Sequence, residues 1–376
     1  MELERPMFFA LLFMALMGCP PSNESDLPSG KFTAATYNVG LAVGYVPAAD
    51  YRAPLAAEAL ANVGADLVCA QEVWLPGQIG LLTAATEDTL PNTFLPDAMP
   101  EDAGGAGCTE DELAQLMDCA DQACEDVCDD KVIDCIFDNC PLQFLGLEKT
   151  CQSCVMAAVG SDVEETKTTC TTANPLFAYG GAFGTALLTS MDLSDTDELL
   201  FASTTNRRSV LYGLVDTPLG ETHVFCTHLT AVFSMIPYPK EEGSWAEEQA
   251  AQVEEFLDYI DEKAGSEPVL VLGDMNMGPD SFGIDGEQEE HYNTLSDGFV
   301  NPYIDDDGQC TYCDDNPLNA GNITTEIIDH ILLRDHQEVT AESERILDEA
   351  IDAERCGETI DAAYSDHYGV MTTLSR

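Results

Sequence analysis

The stretch that most limits what this chain can fold into is residues 268–277, Pro-Val-Leu-Val-Leu-Gly-Asp-Met-Asn-Met. Its first half is an unbroken apolar run of the kind a strand needs when both of its faces are buried. A strand of that type ending in Gly273, Asp274 and Asn276 carries short polar side chains to the rim of a sheet. Asp274 supplies a carboxylate for a metal or a proton, and Asn276 an amide that both donates and accepts. Gly273 lets the backbone turn without a Cβ penalty. Leaving a sheet through Gly-Asp is common, so the stretch gains weight only from others of its kind.

Five more clusters of the same chemistry punctuate the chain: Tyr37-Asn38-Val39, Gln71-Glu72-Val73, Thr227-His228-Leu229, Ile328-Asp329-His330 and Ser365-Asp366-His367. Residues 32–38 hold the β-branched and aromatic side chains of a strand, 66–70 are an apolar strand, and 221–228 alternate like a half-buried one. Residues 327–333 and 368–373 supply the last strands. Helices are expected over 48–62 and 244–262, the second capped by Ser244 with Glu247 at N3. Buried strands alternating with helices indicate an α/β protein.

In order and spacing the six clusters resemble the endonuclease/exonuclease/phosphatase superfamily, which includes pancreatic deoxyribonuclease and the neutral sphingomyelinases. The likeness runs from about Phe32 to the C-terminus with one interruption. It implies a four-layer sandwich of two mixed β-sheets flanked by helices, and a metal-dependent phosphodiester hydrolase. By that resemblance Glu72 and Asp366, with Asn38 nearby, hold Mg²⁺, with Mn²⁺ or Ca²⁺ as alternatives. Glutamate is a hard oxygen donor of the type Mg²⁺ prefers. Asp274 and Asn276 would orient and activate the attacking water. His228 would donate to a phosphoryl oxygen, and His367, held in its tautomer by Asp329, would act as base or phosphate ligand.

A chain of 376 residues has room for two domains, but single α/β domains of about 250 residues are routine. The clusters span the whole mature length, so residues 32–376 read as one catalytic domain. The pattern breaks off over 97–172, a helix-forming stretch with nine of the fifteen cysteines. That density in an exported chain means disulfides stapling a small core. Cys124 and Cys128, at i, i+4, would share a helix face. A zinc site on Cys151-x-x-Cys154 is the weaker reading, because a second pair at zinc-ribbon spacing is missing. Cys310 and Cys313 close an irregular loop by a local or longer disulfide.

Export follows from the N-terminus. Residues 7–17 are an apolar core too short to span a bilayer, flanked by Leu16-Met17-Gly18-Cys19, which resembles the lipobox of bacterial lipoproteins. The expectation is a leader over 1–19, lipidation of Cys19, anchoring to a membrane at the cell surface, and a tether over 20–31; ordinary secretion is the alternative. With Cys19 lipidated, an even fourteen cysteines remain.

Asp and Glu number 69 against 14 Lys and Arg, a formal net charge of −55. Acids scattered in this way suit a salty medium, where repulsion is screened. Such a surface repels polyanions, and tight duplex binding needs clustered cations. Arg207 and Arg208 are expected to pair with surface carboxylates, with substrate phosphate as the alternative. The resemblance implies a small-residue turn at Gly180, Gly181 and Gly184 that serves packing and not phosphate cradling. Residues 231–239 are unusually apolar for a loop beside a catalytic cleft and suit either a membrane-touching lid or simple burial. A phospholipid headgroup ester, sphingomyelin-like, is therefore the favoured substrate. An extracellular nuclease shares the site but needs a basic groove, and a non-catalytic binding lipoprotein would not need every metal and proton-transfer position filled.

Overall fold

The structure is a computed structural model describing residues 27–97, 99, 104–159, 161–233, 236–305, 308–319, 321 and 324–376. The leader, Cys19 and the tether before residue 27 lie outside the described residues. The strands are β1 (Lys31–Asn38), β2 (Leu67–Gln71), β3 (Asn92–Phe94), β4 (Ala186–Thr189), β5 (Leu193–Leu200), β6 (Ser209–Thr217) and β7 (Gly220–His228). They continue with β8 (Val269–Asp274), β9 (Asp329–Arg334), β10 (Thr340–Ile346), β11 (Ala350–Arg355), β12 (Glu358–Ala363) and β13 (Gly369–Ser375).

A six-stranded sheet in the order β10-β13-β1-β2-β4-β3 faces a five-stranded sheet in the order β5-β6-β7-β8-β9. Each is mixed, since β1 runs parallel to β2 and β7 parallel to β8 while the other pairs are antiparallel. Between them lies an apolar cluster that includes Phe32, Leu67 and Leu187 of the first sheet and Leu211, Leu270 and Ile331 of the second. The Cys69–Cys226 disulfide crosses this layer. Helix Trp245–Ala264 covers the outer face of the second sheet through Val253, Phe256, Ile260 and Ala264, at helical spacing on one side. Its Ser244 Oγ accepts from the Glu247 amide at 3.2 Å, as the sequence predicts. Helix Ala49–Asn62 covers the first sheet through Ala53, Ala56 and Leu60. Helix, sheet, sheet and helix make the four layers.

Gly273 is needed for close approach and not for a turn: a Cβ there would lie 2.1 Å from the Thr227 carbonyl oxygen on β7. The polar exit begins beyond it, where Asn276 takes a left-handed φ of 50°.

The Cys-rich stretch forms five short helices, Glu110–Cys124, Val132–Asn139, Pro141–Leu145, Lys149–Ala157 and Val163–Thr172. Four disulfides stay inside it: Cys108–Cys151, Cys119–Cys140, Cys124–Cys135 and Cys154–Cys170. Cys151 and Cys154 are thus both consumed by disulfides, which removes the zinc alternative. The expected common helix face of Cys124 and Cys128 is a misreading, because the helix stops at Cys124. Cys128 lies beyond it and joins Cys356 at the tip of the β11–β12 hairpin. Asp130 reinforces this junction, accepting from Arg355 Nε at 2.8 Å and from the Ala48 amide at 2.9 Å. With Cys310–Cys313, all fourteen cysteines after Cys19 are paired. Among the described residues no helix is long and apolar enough to cross a membrane.

Candidate active site

Strand register does the first work of assembly. β7 ends at His228, β8 ends at Asp274 and β9 begins at Asp329, and the ladder pairs His228 with Asp274 and Asp274 with Asp329. In the facing sheet Asn38 pairs with Gln71, so Glu72 leaves β2 beside it. Asp366 and His367 sit just ahead of β13. Glu72, His228, Asp274, Asn276, Asp366 and His367 all line one cavity of about 700 Å³, with Asn38 and Asp329 buried behind them.

Asn38 Nδ2 donates to Asp274 Oδ2 at 2.8 Å and lies 3.4 Å from His367 Nε2, while its Oδ1 accepts from the Gly40 amide at 2.9 Å. His367 Nδ1 is 2.9 Å from Asp329 Oδ2, and His228 Nε2 is 3.4 Å from Asp274 Oδ2. Asp274 also accepts from the Asn276 amide at 2.9 Å, and Asn276 Nδ2 donates to the Leu229 carbonyl at 3.0 Å. The turn after β8 is thereby tied to the end of β7. Glu72 and Asn276 both have positive φ, 59° and 50°, which a β-carbon makes costly and which site residues tolerate only when their surroundings hold them.

Burial sets the protonation of these groups. It pushes the Asp274 carboxyl up to about 7, with Asp329 adding to the rise and His367 and Asn38 opposing it. Burial would lower the His367 imidazole, but Asp329, then Asp274 and Asp366, override it and hold the ring well above the usual histidine range. His228 goes the other way, pulled well below that range by burial and by the charges of Arg208 and His367. One histidine is thus poised cationic and the other neutral, an arrangement that separates proton-transfer roles. The Glu72 carboxyl is raised by burial and by Asp366.

Carboxylates that share a cavity are a donor set that suits a hard divalent cation. Glu72 and Asp366 both line the cavity, and, as a separate group, ligand atoms of Asp274, Asp329 and His367 lie within 4.8 Å of one another. The residues present fit such an ion.

Sequence reasoning misses several members. It prefers a surface pair for Arg208 over the substrate-phosphate alternative; instead the side chain is buried in the cavity wall, drawn to Glu72 and Asp274, 5.9 Å over the Trp74 ring, with Nη1 lacking a protein hydrogen bond. Arg207 is buried too, over Phe177. The physical reason is context: Thr205, Asn206 and Arg208, just before β6, line the cavity, and no local pattern tells such a position from a surface one. Gly184, at φ 71°, packs where a Cβ would meet the Trp74 ring at 2.6 Å. The loop closed by Cys310–Cys313 has Thr311 Oγ1 accepting from the Ile328 and Asp329 amides at 3.1 and 3.2 Å, and the Tyr312 ring lies 5.0 Å from that of His367. A Thr-Tyr pair in an irregular loop carries no periodic signal.

The sequence matches the model of the Endonuclease/Exonuclease/phosphatase family over residues 35–367. No curated protein matches it by sequence. The crystal structure of SmcL superposes with a TM-score of 0.56 at 14% identity, covering 92% of this chain and 99% of that one. A mutant of beta toxin from Staphylococcus aureus with bound magnesium ions gives 0.56 at 14% identity over 92% of this chain and 100% of that one. TDP2 from C. elegans gives 0.54 at 13% identity over 93% and 77%. At these identities the solved structures bear on the fold alone, whereas the family model spans most of the chain. The chain belongs to the Endonuclease/Exonuclease/phosphatase family and is a hydrolase of the phosphodiesterase type.

Proposed function

We propose that this protein is a divalent-metal-dependent phosphodiester hydrolase whose substrate is a phospholipid headgroup ester of the sphingomyelin kind. The observation that carries the reading is the buried chain Asp329–His367–Asn38–Asp274–His228 at the base of the cavity. Glu72 and Asp366, with Asn38 behind them, would hold Mg²⁺, which polarises a phosphate oxygen and offsets negative charge that grows on it. Asp274, already raised by burial, takes the proton of the attacking water, and the Asn276 turn keeps that carboxylate aimed. His367, kept cationic by Asp329, and His228 donate to the phosphoryl oxygens. Arg208, with an unpaired Nη1, faces the same phosphate as a bidentate donor. Beta toxin, with its bound magnesium ions, is a structural relative of the same fold and supports the choice of metal. The acidic surface and the apolar rim of the cavity support lipid over duplex DNA.

The seven disulfides suit an oxidising compartment. The proposed leader and lipobox would hold the enzyme at a membrane through Cys19, and Cys19→Ser should then move it to the soluble fraction. The substrate test sets purified protein, with EDTA and after Mg²⁺ restoration, against sphingomyelin vesicles, plasmid DNA and bis(p-nitrophenyl) phosphate. Chelator-sensitive turnover of the chromogenic diester and of the vesicles is expected. Nicking of plasmid faster than lipid turnover would move the substrate to nucleic acid, and no turnover of any of the three would sink the hydrolase reading.

A further inference from the structure

The cavity lining changes chemistry from one part to another. Its base is ionisable and built from strand ends, and Thr205, Asn206, Glu287, Gln288, Thr324 and Glu326 add polar lining. One further part is apolar and contributed in part by the Cys-rich helices through Met156: Tyr45, Met156, Phe233, Ile236 and Trp245 line it. Met156 belongs to helix Lys149–Ala157, and its Sδ lies 3.7 Å from the Tyr45 hydroxyl. Tyr45 and Ile236 pack onto the apolar core of the Cys-rich helices, and Lys149 Nζ donates to the Lys240 carbonyl at 2.7 Å. Trp245 donates from Nε1 to the Ile236 carbonyl at 2.9 Å, and its ring meets Phe233 edge-on at 5.1 Å. The buried Glu248 carboxylate fastens both ends of the apolar loop, accepting from Thr230 and Tyr238 hydroxyls at 3.0 Å each.

The apolar part is continuous with the reacting end. Trp74 lies 6.3 Å from the His228 ring and belongs to the same apolar cluster as Tyr45. A phosphate seated among His228, His367 and Arg208 would therefore have one substituent directed along Trp74 and Tyr45 toward Met156. About 700 Å³ is far more than a phosphate group occupies and falls in the range of sites that enclose a whole organic ligand.

We propose that the Cys-rich helices complete the substrate site, with Met156, Tyr45, Ile236 and Phe233 forming a wall that receives the hydrocarbon substituent of the phosphodiester. The proposal rests on the hydrolase reading for the phosphate end. It assigns the cysteine-stapled stretch a specificity role: it selects phosphodiesters bearing an alkyl chain over those bearing a short or sugar substituent. Each methylene withdrawn fully from water tightens binding about fourfold, so an incompletely covered chain still gives a large cumulative effect.

The chain's two tryptophans, Trp74 and Trp245, both line the cavity, so intrinsic fluorescence reports on its occupancy. Full-length protein with magnesium is titrated with methyl-, butyl-, hexyl- and octylphosphonate below their micellar concentrations. The dissociation constant should fall at least about tenfold from methyl to octyl. Met156→Asn, in the buried wall, and Phe233→Ser, on its exposed rim, should each reduce that gain to about threefold or less, with circular dichroism checking the fold. Equal affinity across the series, or a full gain in both variants, overturns the proposal, as does an oligothymidylate that binds more tightly than octylphosphonate. Methyl p-nitrophenyl phosphate separates the two readings. Turnover without any chain-length gain sinks the wall alone, and a chain-length gain without turnover sinks the hydrolase reading and leaves the wall.

Discussion

The sandwich and the Cys-rich helices solve the same problem by different means. The sandwich buries its apolar side chains in three large clusters and contains one disulfide across its centre, Cys69–Cys226. Among the described residues the Cys-rich stretch has a single, smaller apolar cluster, in which Cys108, Cys140, Cys151, Cys154 and Cys170 are themselves buried members. A unit that small buries too little surface to offset chain entropy, and cross-links that restrict its unfolded state make up the difference. The two regions should therefore fail separately: one through its chemistry, the other through its staples.

The largest expected effect lies in the sandwich. Asp274→Ala and His367→Ala should each lower kcat on bis(p-nitrophenyl) phosphate by about 10²–10⁴-fold, the usual worth of a positioned proton-transfer group, while thermal melts keep the profile of the parent. Activity within a few-fold of wild type in either variant would break the assignment. Arg208→Ala should come next, with a loss of roughly 10²-fold typical of removing a donor from a developing oxyanion. Arg208→Lys should recover only part of it, since an ammonium is a point charge and not a fork.

Replacing Cys154 and Cys170 together by Ser opens a loop of 16 residues in sequence separation and should cost the helical unit about 3 kcal/mol. Proteolysis within 104–172 should then precede cleavage of the sandwich; simultaneous cleavage would mean that the two regions unfold as one. The smallest effect belongs to Cys128→Ser with Cys356→Ser. Asp130 still ties Arg355 and the Ala48 amide across that junction, so activity on the short diester should change by less than about twofold, given how little most surface substitutions cost. A large drop would show that the helical unit must be covalently held to keep the cavity formed.

Much of this is legible in the chain. Apolar runs ending in Asn38, Glu72, His228 and Asp274 have a period and a terminus that sequence displays, because a buried strand leaves its polar exit at a fixed place. The cap at Ser244 is equally local. Tyr312 and Met156 are out of reach, and Arg208 is weighed toward the surface, for one reason: each enters the cavity wall through a loop or a separate helix, and neither periodicity nor composition encodes which surface a loop covers. The partner of Cys128 is hidden likewise, since Cys356 lies 228 residues away.

By itself, then, the sequence determined the buried strands, their polar exits, the acidic surface and the need for cross-links, all properties of neighbouring residues and of composition. The tertiary structure decided the rest. Register aligned His228, Asp274 and Asp329 across adjacent strands, packing of two sheets brought Asn38 within 2.8 Å of Asp274, and docking of the Cys-rich helices set Met156 beside them in one cavity. Distances between residues far apart in the chain, and the burial that shifts their protons, exist only once the layers have closed and water has left the space between them.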